Sequence, residues 1–317
     1  MRELIAYAAG QILGVPKDDV SYVIHSGGRG ESGFITVLFY YQSRCALVAK
    51  IARTYPQRVV SEYNNLVKLS RLLAGTELFK TIEKPYTLTP LSGYQILFKE
   101  FKEGIPGPRY LKAKTRDKNK IRKFLSLSVK WLIDFVTLTS DCRVNSYEAK
   151  KSALQTLTGS YGPTYFEAIA KDESIFVSPC HGDFVVSNVL FDTRREKGID
   201  IIDFENFISV GFPTIDLISI IVDTGTTLFG LNDEMFFKTF LTRNWFALAV
   251  GEAVQNFCAS CNIKPGTLIS MLPLYSDRAI YLCKAWNMDE LLPFHEKLRE
   301  HFVDRQSEVV WQDQTTF

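Results

Sequence analysis

The stretch His181-Gly182-Asp183-Phe184-Val185-Val186-Ser187-Asn188 and the later Ile201-Ile202-Asp203-Phe204-Glu205 hold the residues best suited to chemistry. Moving a phosphoryl group onto a hydroxyl asks for a carboxylate that orients the attacking oxygen and accepts its proton. It also asks for a second carboxylate, with an amide or another acid, to hold Mg²⁺ against the phosphates. Asp183 is the candidate base, and Asn188 with Asp203 the candidate metal ligands. The five-residue step from Asp183 to Asn188 lets a loop turn both side chains to one side. Strand-like runs at 189–191 and 199–204 then return Asp203 next to them. Glu205 reads either as an aid to a second ion or as a backbone hydrogen-bonding group, the latter preferred.

Such groups need elements to carry them. Leu4, Ile5, Ala8, Ala9 and Ile12 recur at helical spacing over residues 3–13, and Gly14 with Pro16 ends the run. Runs at 20–25, 34–41 and 46–52 read as strands, the last two joined by a polar hairpin turn at 42–44. Residues 57–73, with Val60, Tyr63, Leu66, Val67, Ser70 and Leu73, predict an amphipathic helix, and further strands are expected at 86–91 and 94–101. The breaker-rich Lys102-Glu103-Gly104-Ile105-Pro106-Gly107-Pro108 marks a boundary between a first lobe, 1–103, and a second, 104–317. Beyond it the patterns are mainly helical, at 121–138, 147–157, 165–170, 234–260 and 291–302. The fold class is α+β, with a small sheet lobe and a larger helical lobe.

On these residues the chain resembles the aminoglycoside phosphotransferase and choline kinase superfamily, kinase-like enzymes that phosphorylate small molecules, over most of its length. The resemblance implies a protein-kinase-like two-lobed fold, with a nucleotide-binding antiparallel sheet lobe and a catalytic, acceptor-binding helical lobe. It implies ATP and Mg²⁺ as cofactors, with GTP as the alternative nucleotide. Residues 26–33, with Gly27, Gly28 and Gly30, look like the loop that covers the nucleotide. Lys50 looks like the strand lysine on the α- and β-phosphates, and Glu62 like its ion-pair partner. Residues 96–103, with Glu100 and Lys102, look like the hinge beside the adenine. Asp216 is similar to the acid that braces the catalytic loop, and His181 to the histidine that does the same. Ile202-Asp203-Phe204-Glu205 is closer to the choline kinase side, and to bacterial sugar or surface-glycan relatives, than to the Asp-Trp variant of many antibiotic kinases.

Composition limits the partners. A length of 317 residues fits two lobes at about 150 each. Basic and acidic residues, 37 against 35, leave a net charge of only +2, which excludes a polyanion-coating protein. No nucleic-acid-binding motif is present. Cys258 and Cys261 form a lone C-x-x-C without nearby histidines and read as buried thiols rather than a zinc site. The first ten residues lack a signal-peptide pattern, and no apolar run nears the ~20 residues of a membrane helix, so a cytoplasmic protein with no integral span is expected. Arg109, Lys112, Lys114, Arg116, Lys118, Lys120, Arg122 and Lys123 form a basic run. It is either a solvated face or an attraction for a lipid-linked acceptor or peripheral membrane surface.

The expected acceptor is a small-molecule hydroxyl, a sugar first and an amino-alcohol next, with aminoglycosides and choline in range; oligomeric state is left open. Two rival readings stand. Val185 occupies a position where related enzymes often carry a basic or His side chain, which suggests a catalytically degenerate nucleotide-binding module. A protein kinase is disfavoured, because no Ala-Pro-Glu segment follows Asp203.

Overall fold

The computed structural model describes residues 1–26, 33–113, 117–159, 165–192 and 198–312. Gly27, Gly28 and Gly30 of the expected nucleotide-covering loop, and Lys114 and Arg116 of the basic run, lie outside the described residues. The chain divides into two compact units: Met1–Glu103 with Asp200–Asn206, and Gly104–Ile199 with Phe207–Phe317.

The first unit opens with helix α1 (Arg2–Tyr7), continued by a wider turn over Ala8–Leu13 that Gly14 ends at φ +67°. Strands β1 (Val20–Ser26), β2 (Phe34–Tyr41) and β3 (Arg44–Ala52) follow, then α2 (Pro56–Leu72), β4 (Pro85–Leu91) and β5 (Tyr94–Glu100). They form a five-stranded antiparallel sheet in the order β1-β2-β3-β5-β4. Alternation along the strands sends successive side chains to opposite faces. One face carries Val37, Phe39, Leu47, Ala49, Ile96 and Phe98 into a core with Leu4, Ala8 and Ala9. Tyr7 stacks on Phe98 at 5.4 Å.

The opposite face carries Lys50 and Lys99, both buried although charged. The buried stripe of α2 is Val59, Glu62, Leu66 and Leu69, rotated from the stripe expected around Val60 and Tyr63. An acid on the core-facing line explains the rotation, since Glu62 has cations to meet there. The segment 200–206 belongs with this unit through a parallel bridge from Ile201 to Ile82. The Asn65 amide nitrogen on α2 also donates to the carbonyls of Phe204 and Glu205, at 3.0 and 3.2 Å.

The second unit begins with β6 (Ile105–Pro106), α3 (Gly107–Ala113), α4 (Lys118–Leu138), α5 (Tyr147–Thr158) and α6 (Tyr165–Lys171). Strands β7 (Ser178–Cys180), β8 (Val189–Asp192) and β9 (Gly198–Ile201) come next, β9 carrying the chain from this unit into the first. Then follow β10 (Ile208–Gly211), α7 (Pro213–Phe229), α8 (Asp233–Phe236), α9 (Trp245–Cys261), α10 (Pro265–Ser270), α11 (Leu272–Ala285) and α12 (Leu292–Asp304). β7 pairs antiparallel with β10, and β6 with β8. Every residue of α7 from Pro213 to Val222 is buried, Asp216 among them.

The helix expected at 234–260 is two pieces, because the chain leaves helical geometry at Thr242 and re-enters through Asn244. Cys258 and Cys261 are buried thiols. Burial pushes them up to about 12 and about 11, which suits packing rather than thiolate ligation. Among the described residues, no helix is long and apolar enough to cross a membrane.

Candidate active site

Within the first unit, Lys50 is the hub. Its ammonium lies 2.7 Å from Glu62 Oε2, 3.1 Å from Asp203 Oδ1 and 2.9 Å from Glu205 Oε2. Burial alone would pull this lysine down, but Asp203, Glu62 and Glu205 hold it well above the ordinary range, so it is a permanent cation. Arg58 caps the other oxygen of Glu205. The two cations also lie over the ring of Phe34, at 4.6 and 4.8 Å.

Lys50 and Glu62 therefore form the ion pair that the resemblance implied, and Asp203 meets Lys50 as well. Glu205 joins them through its carboxylate, where a backbone role had been preferred. Carboxylate oxygens of Glu62, Asp203 and Glu205 lie within 4.8 Å of one another. This hard, anionic oxygen set suits Mg²⁺.

Asp203 sits at φ +65°, a left-handed conformation uncommon for residues other than glycine and met most often by Asn and Asp. Its side chain is 38% exposed, while the groups that hold it are buried. Its backbone N–H donates to Glu83 Oε2 at 3.0 Å. The same oxygen takes Lys99 Nζ at 2.9 Å, and Lys99 reaches Glu62 Oε1 at 2.6 Å. Burial holds the Glu83 carboxyl above the usual carboxylate range, with Lys99 opposing the rise only in part.

Lys99 and Glu83 were missed in the sequence. Their signal is a charged residue in the otherwise apolar run Ile96-Leu97-Phe98-Lys99, directly across the ladder from Val48 and so on the same face as Lys50. Glu100 and Lys102 do not join this cluster: they pair with each other at 3.1 Å, and Lys102 also donates to the Lys80 carbonyl at 2.9 Å. The Glu100 amide donates to the Lys84 carbonyl at 2.8 Å.

Within the second unit, β7 delivers the chain to His181 and a loop fixed from several directions. Asp216, in the first turn of α7, accepts the backbone N–H of His181 at 2.6 Å and of Gly182 at 2.9 Å. Burial pushes its carboxyl up to about 7 against these two donors. Gly182 adopts φ +81°, and the Arg278 guanidinium on α11 donates to its carbonyl. The Asp183 N–H donates to His181 Nδ1 at 3.3 Å.

Phe184 is fully buried and stacks on Trp131 of α4 at 5.5 Å, anchoring the loop to the core. A tight turn at Val186–Asn188 brings Asn188 back, and its amide nitrogen donates to the Asp183 carbonyl at 2.9 Å and to Asp183 Oδ2 at 3.3 Å. The Val186 N–H donates to Asp223 Oδ2 at 2.6 Å, and burial raises that carboxyl too.

Gly182, Asp183 and Val185 open onto a cavity of about 480 Å³ within this unit. Asp223, Tyr275, Arg278, Ser219, Thr226 and Thr227 supply polar groups, and Val222, Leu231, Leu282, Trp286, Met288, Leu291 and Phe294 supply apolar wall. His295 also lines it, and burial lowers its imidazole to about 4, so the ring is neutral at pH 7. Asp223 was not read as a site residue. The signal was its place seven residues after Asp216, two turns on the same helix face with Ser219 between, inside an apolar run. Of the basic run, only Lys112 lines this cavity among the described residues.

A family model described as the ecdysteroid kinase-like family matches residues 94–227. Among solved structures, the GDP complex of a point mutant of aminoglycoside 2′-phosphotransferase-IIIa superposes with a TM-score of 0.53 at 13% identity. That match covers 96% of this chain and 97% of the other. An aminoglycoside phosphotransferase from Streptomyces rimosus gives a TM-score of 0.45 at 15% identity, covering 87% of this chain and 99% of its own. No curated protein matches by sequence. The fold is kinase-like, as in the aminoglycoside 2′-phosphotransferase structure.

Proposed function

We propose that this protein is a member of the aminoglycoside phosphotransferase and choline kinase superfamily and a small-molecule kinase that moves the γ-phosphoryl group of ATP, or alternatively GTP, onto an alcohol. The observation that carries the reading is Asp183, held on a braced loop at the mouth of a cavity large enough for a drug-sized molecule. Asp183 orients the acceptor hydroxyl and takes its proton as the oxygen–phosphorus bond forms and the bond to the β-phosphate oxygen breaks. Asn188 and Asp203 would hold Mg²⁺, with Glu205 near enough to assist, and the ion would supply charge neutralisation at the phosphates. Lys50, kept charged by Glu62, would bind the α- and β-phosphates. In this scheme Asp216 and Arg278 keep the backbone around Gly182 still, so Asp183 need not reorganise during transfer.

The cavity wall shifts the preferred acceptor. A free sugar presents hydroxyls all round and needs a polar partner for most of them. Here Asp183, Asp223, Tyr275, Arg278 and Lys112, with Ser219, Thr226, Thr227 and His295, are set in a wall whose surface is mainly apolar. A hydroxyl carried on an apolar frame fits better, in keeping with the family described as ecdysteroid kinase-like.

The test is thermal unfolding with ATP, GTP and ADP, with and without Mg²⁺, followed by transfer assays on sterol-type alcohols, sugars and choline. At a hundredfold excess over its dissociation constant a ligand adds about 2.7 kcal/mol to native stability. Asp183→Asn is expected to abolish transfer and leave Mg·ATP binding within about tenfold. No stabilisation by any nucleotide would overturn the reading. Binding without turnover on any acceptor would leave a nucleotide-binding module, as Val185 at the cavity mouth would then explain.

A further inference from the structure

We propose that Glu83 and Lys99 are positioning residues that hold Asp203, backbone and carboxylate together, in the geometry needed to receive a divalent cation. The contacts close a ring. The Asp203 N–H donates to Glu83, Glu83 pairs with Lys99, Lys99 with Glu62, Glu62 with Lys50, and Lys50 returns to the Asp203 carboxylate. Four of the five members are buried, so water is a poor substitute for any link. Each charge in the ring touches an opposite charge, which is the condition under which buried ions hold geometry rather than neutralise.

Lys50 and Glu62 alone would grip Asp203 only by its carboxylate, which a bound cation would pull on. Glu83 grips the backbone amide instead, which stays available when the carboxylate turns to a metal. Lys99 sets the place of Glu83 and, by taking the second oxygen of Glu62, also fixes how Glu62 faces Lys50. The inference rests on the reading of Asp203 as a metal ligand, but the ring can be measured without any ligand.

The first arm is amide hydrogen exchange on the unliganded full-length protein, read at Asp203. Glu83→Ala is expected to speed exchange there at least tenfold while amides of the strand carrying Lys50 keep their protection. Glu83→Gln retains an acceptor and is expected to restore most of the protection. The second arm is calorimetric ADP binding across a Mg²⁺ series. Glu83→Ala and Lys99→Met are expected to raise the Mg²⁺ concentration for half-maximal binding about tenfold, and in Glu83→Ala the ADP affinity in the absence of Mg²⁺ is expected to change less than twofold.

If Glu83→Ala or Lys99→Met fails to fold, Glu83→Asp, which keeps the charge but shortens the reach to the Asp203 N–H, and Lys99→Arg are used, and a smaller shift in the same direction is required. Unchanged exchange at Asp203, or an unchanged Mg²⁺ requirement, in a folded variant would overturn the proposal. Wild type with no Mg²⁺-dependent ADP binding would defeat the functional reading instead, and the exchange arm would then decide the ring by itself.

Discussion

Gly107 has no side chain, and the loop carrying Asp183 is packed on that fact. A Cβ at this position would collide with the Val186 carbonyl oxygen and stand 2.8 Å from Val186 Cγ1 and 3.1 Å from Phe124 Cζ. Val186 cannot move aside cheaply, because its own N–H is tied to Asp223 at 2.6 Å and its side chain is fully buried. Gly107→Ala is therefore expected to destabilise by about 1–3 kcal/mol, the usual range for overpacking. It should also lower phosphoryl transfer, because the displaced backbone lies between Asp183 and Asn188. Gly266→Ala is the control: nothing lies within 4 Å of its added Cβ, and a gain of a few tenths of a kcal/mol is expected from helix propensity. Urea unfolding of both variants checks the contrast, and equal behaviour would mean that the loop tolerates displacement.

At the scale of elements, Asn244 shows why one helix became two. Its side-chain oxygen accepts from the N–H groups of Phe246 and Ala247, at 2.8 and 3.2 Å, capping α9. Its amide nitrogen donates to the carbonyls of Lys238 and Thr242, at 2.7 and 2.9 Å, closing the turn before it. Asn244→Ala is expected to cost about 1–2 kcal/mol, at the upper end for a lost cap because both helix ends lose partners. Asn244→Asp keeps the cap and loses the donor, so an intermediate loss in urea unfolding should result. A one-residue cap between two apolar runs is easily read through, which is how residues 234–260 passed for a single helix.

The sheet was legible because alternation survives in strands with one face on α1 and the other on α2. Asp183, Asn188 and Asp203 stand out in the sequence by residue type and spacing, and Lys50 and Glu62 by resemblance; the Lys50–Glu62 ion pair is the part the fold displays. Helix α7 escaped because it is buried on every side from Pro213 to Val222, and its one polar face, Asp216, Ser219 and Asp223, is turned inward as well. Helix α11 escaped because Ser276 and Arg278 lie on its buried face, and Arg278 is there to hold the Gly182 carbonyl. Glu83 and Lys99 escaped for a similar reason: their partners are fixed by the fold, at separations that carry no local signal.

At the scale of the whole molecule, two buried titrating groups set opposing slopes on stability with pH. The unfolded chain loses the Asp216 proton near 3.8, whereas the folded chain keeps it to about 7. Through that window the folded state holds the extra proton, so stability falls as pH rises and is level above it. His295 works in reverse, with an ordinary value of 6.5 and a folded value of about 4. Its contribution is complete above 6.5 and is lost as pH drops towards 4. One proton corresponds to about 1.4 kcal/mol per pH unit, so over roughly pH 4.5 to 6 the two slopes largely cancel. Other titrating groups act equally in wild type and variants, and difference curves remove them.

His295→Gln, which keeps a neutral polar group on the cavity wall, should uncover the Asp216 slope. Its stability relative to wild type then declines as pH rises from 5 to 6.5. Asp216→Asn should uncover the opposite slope, its deficit against wild type shrinking over the same interval, on top of a constant loss from the mismatched second N–H. Urea unfolding at pH 5, 6, 7 and 8 measures both, and His295→Gln carries the test alone if Asp216→Asn does not fold. A His295→Gln curve parallel to wild type at every pH would mean that His295 titrates alike in the folded and unfolded chain. The apolar wall around Asp183 would then admit enough water to charge the ring, and the case for an apolar acceptor would weaken with it.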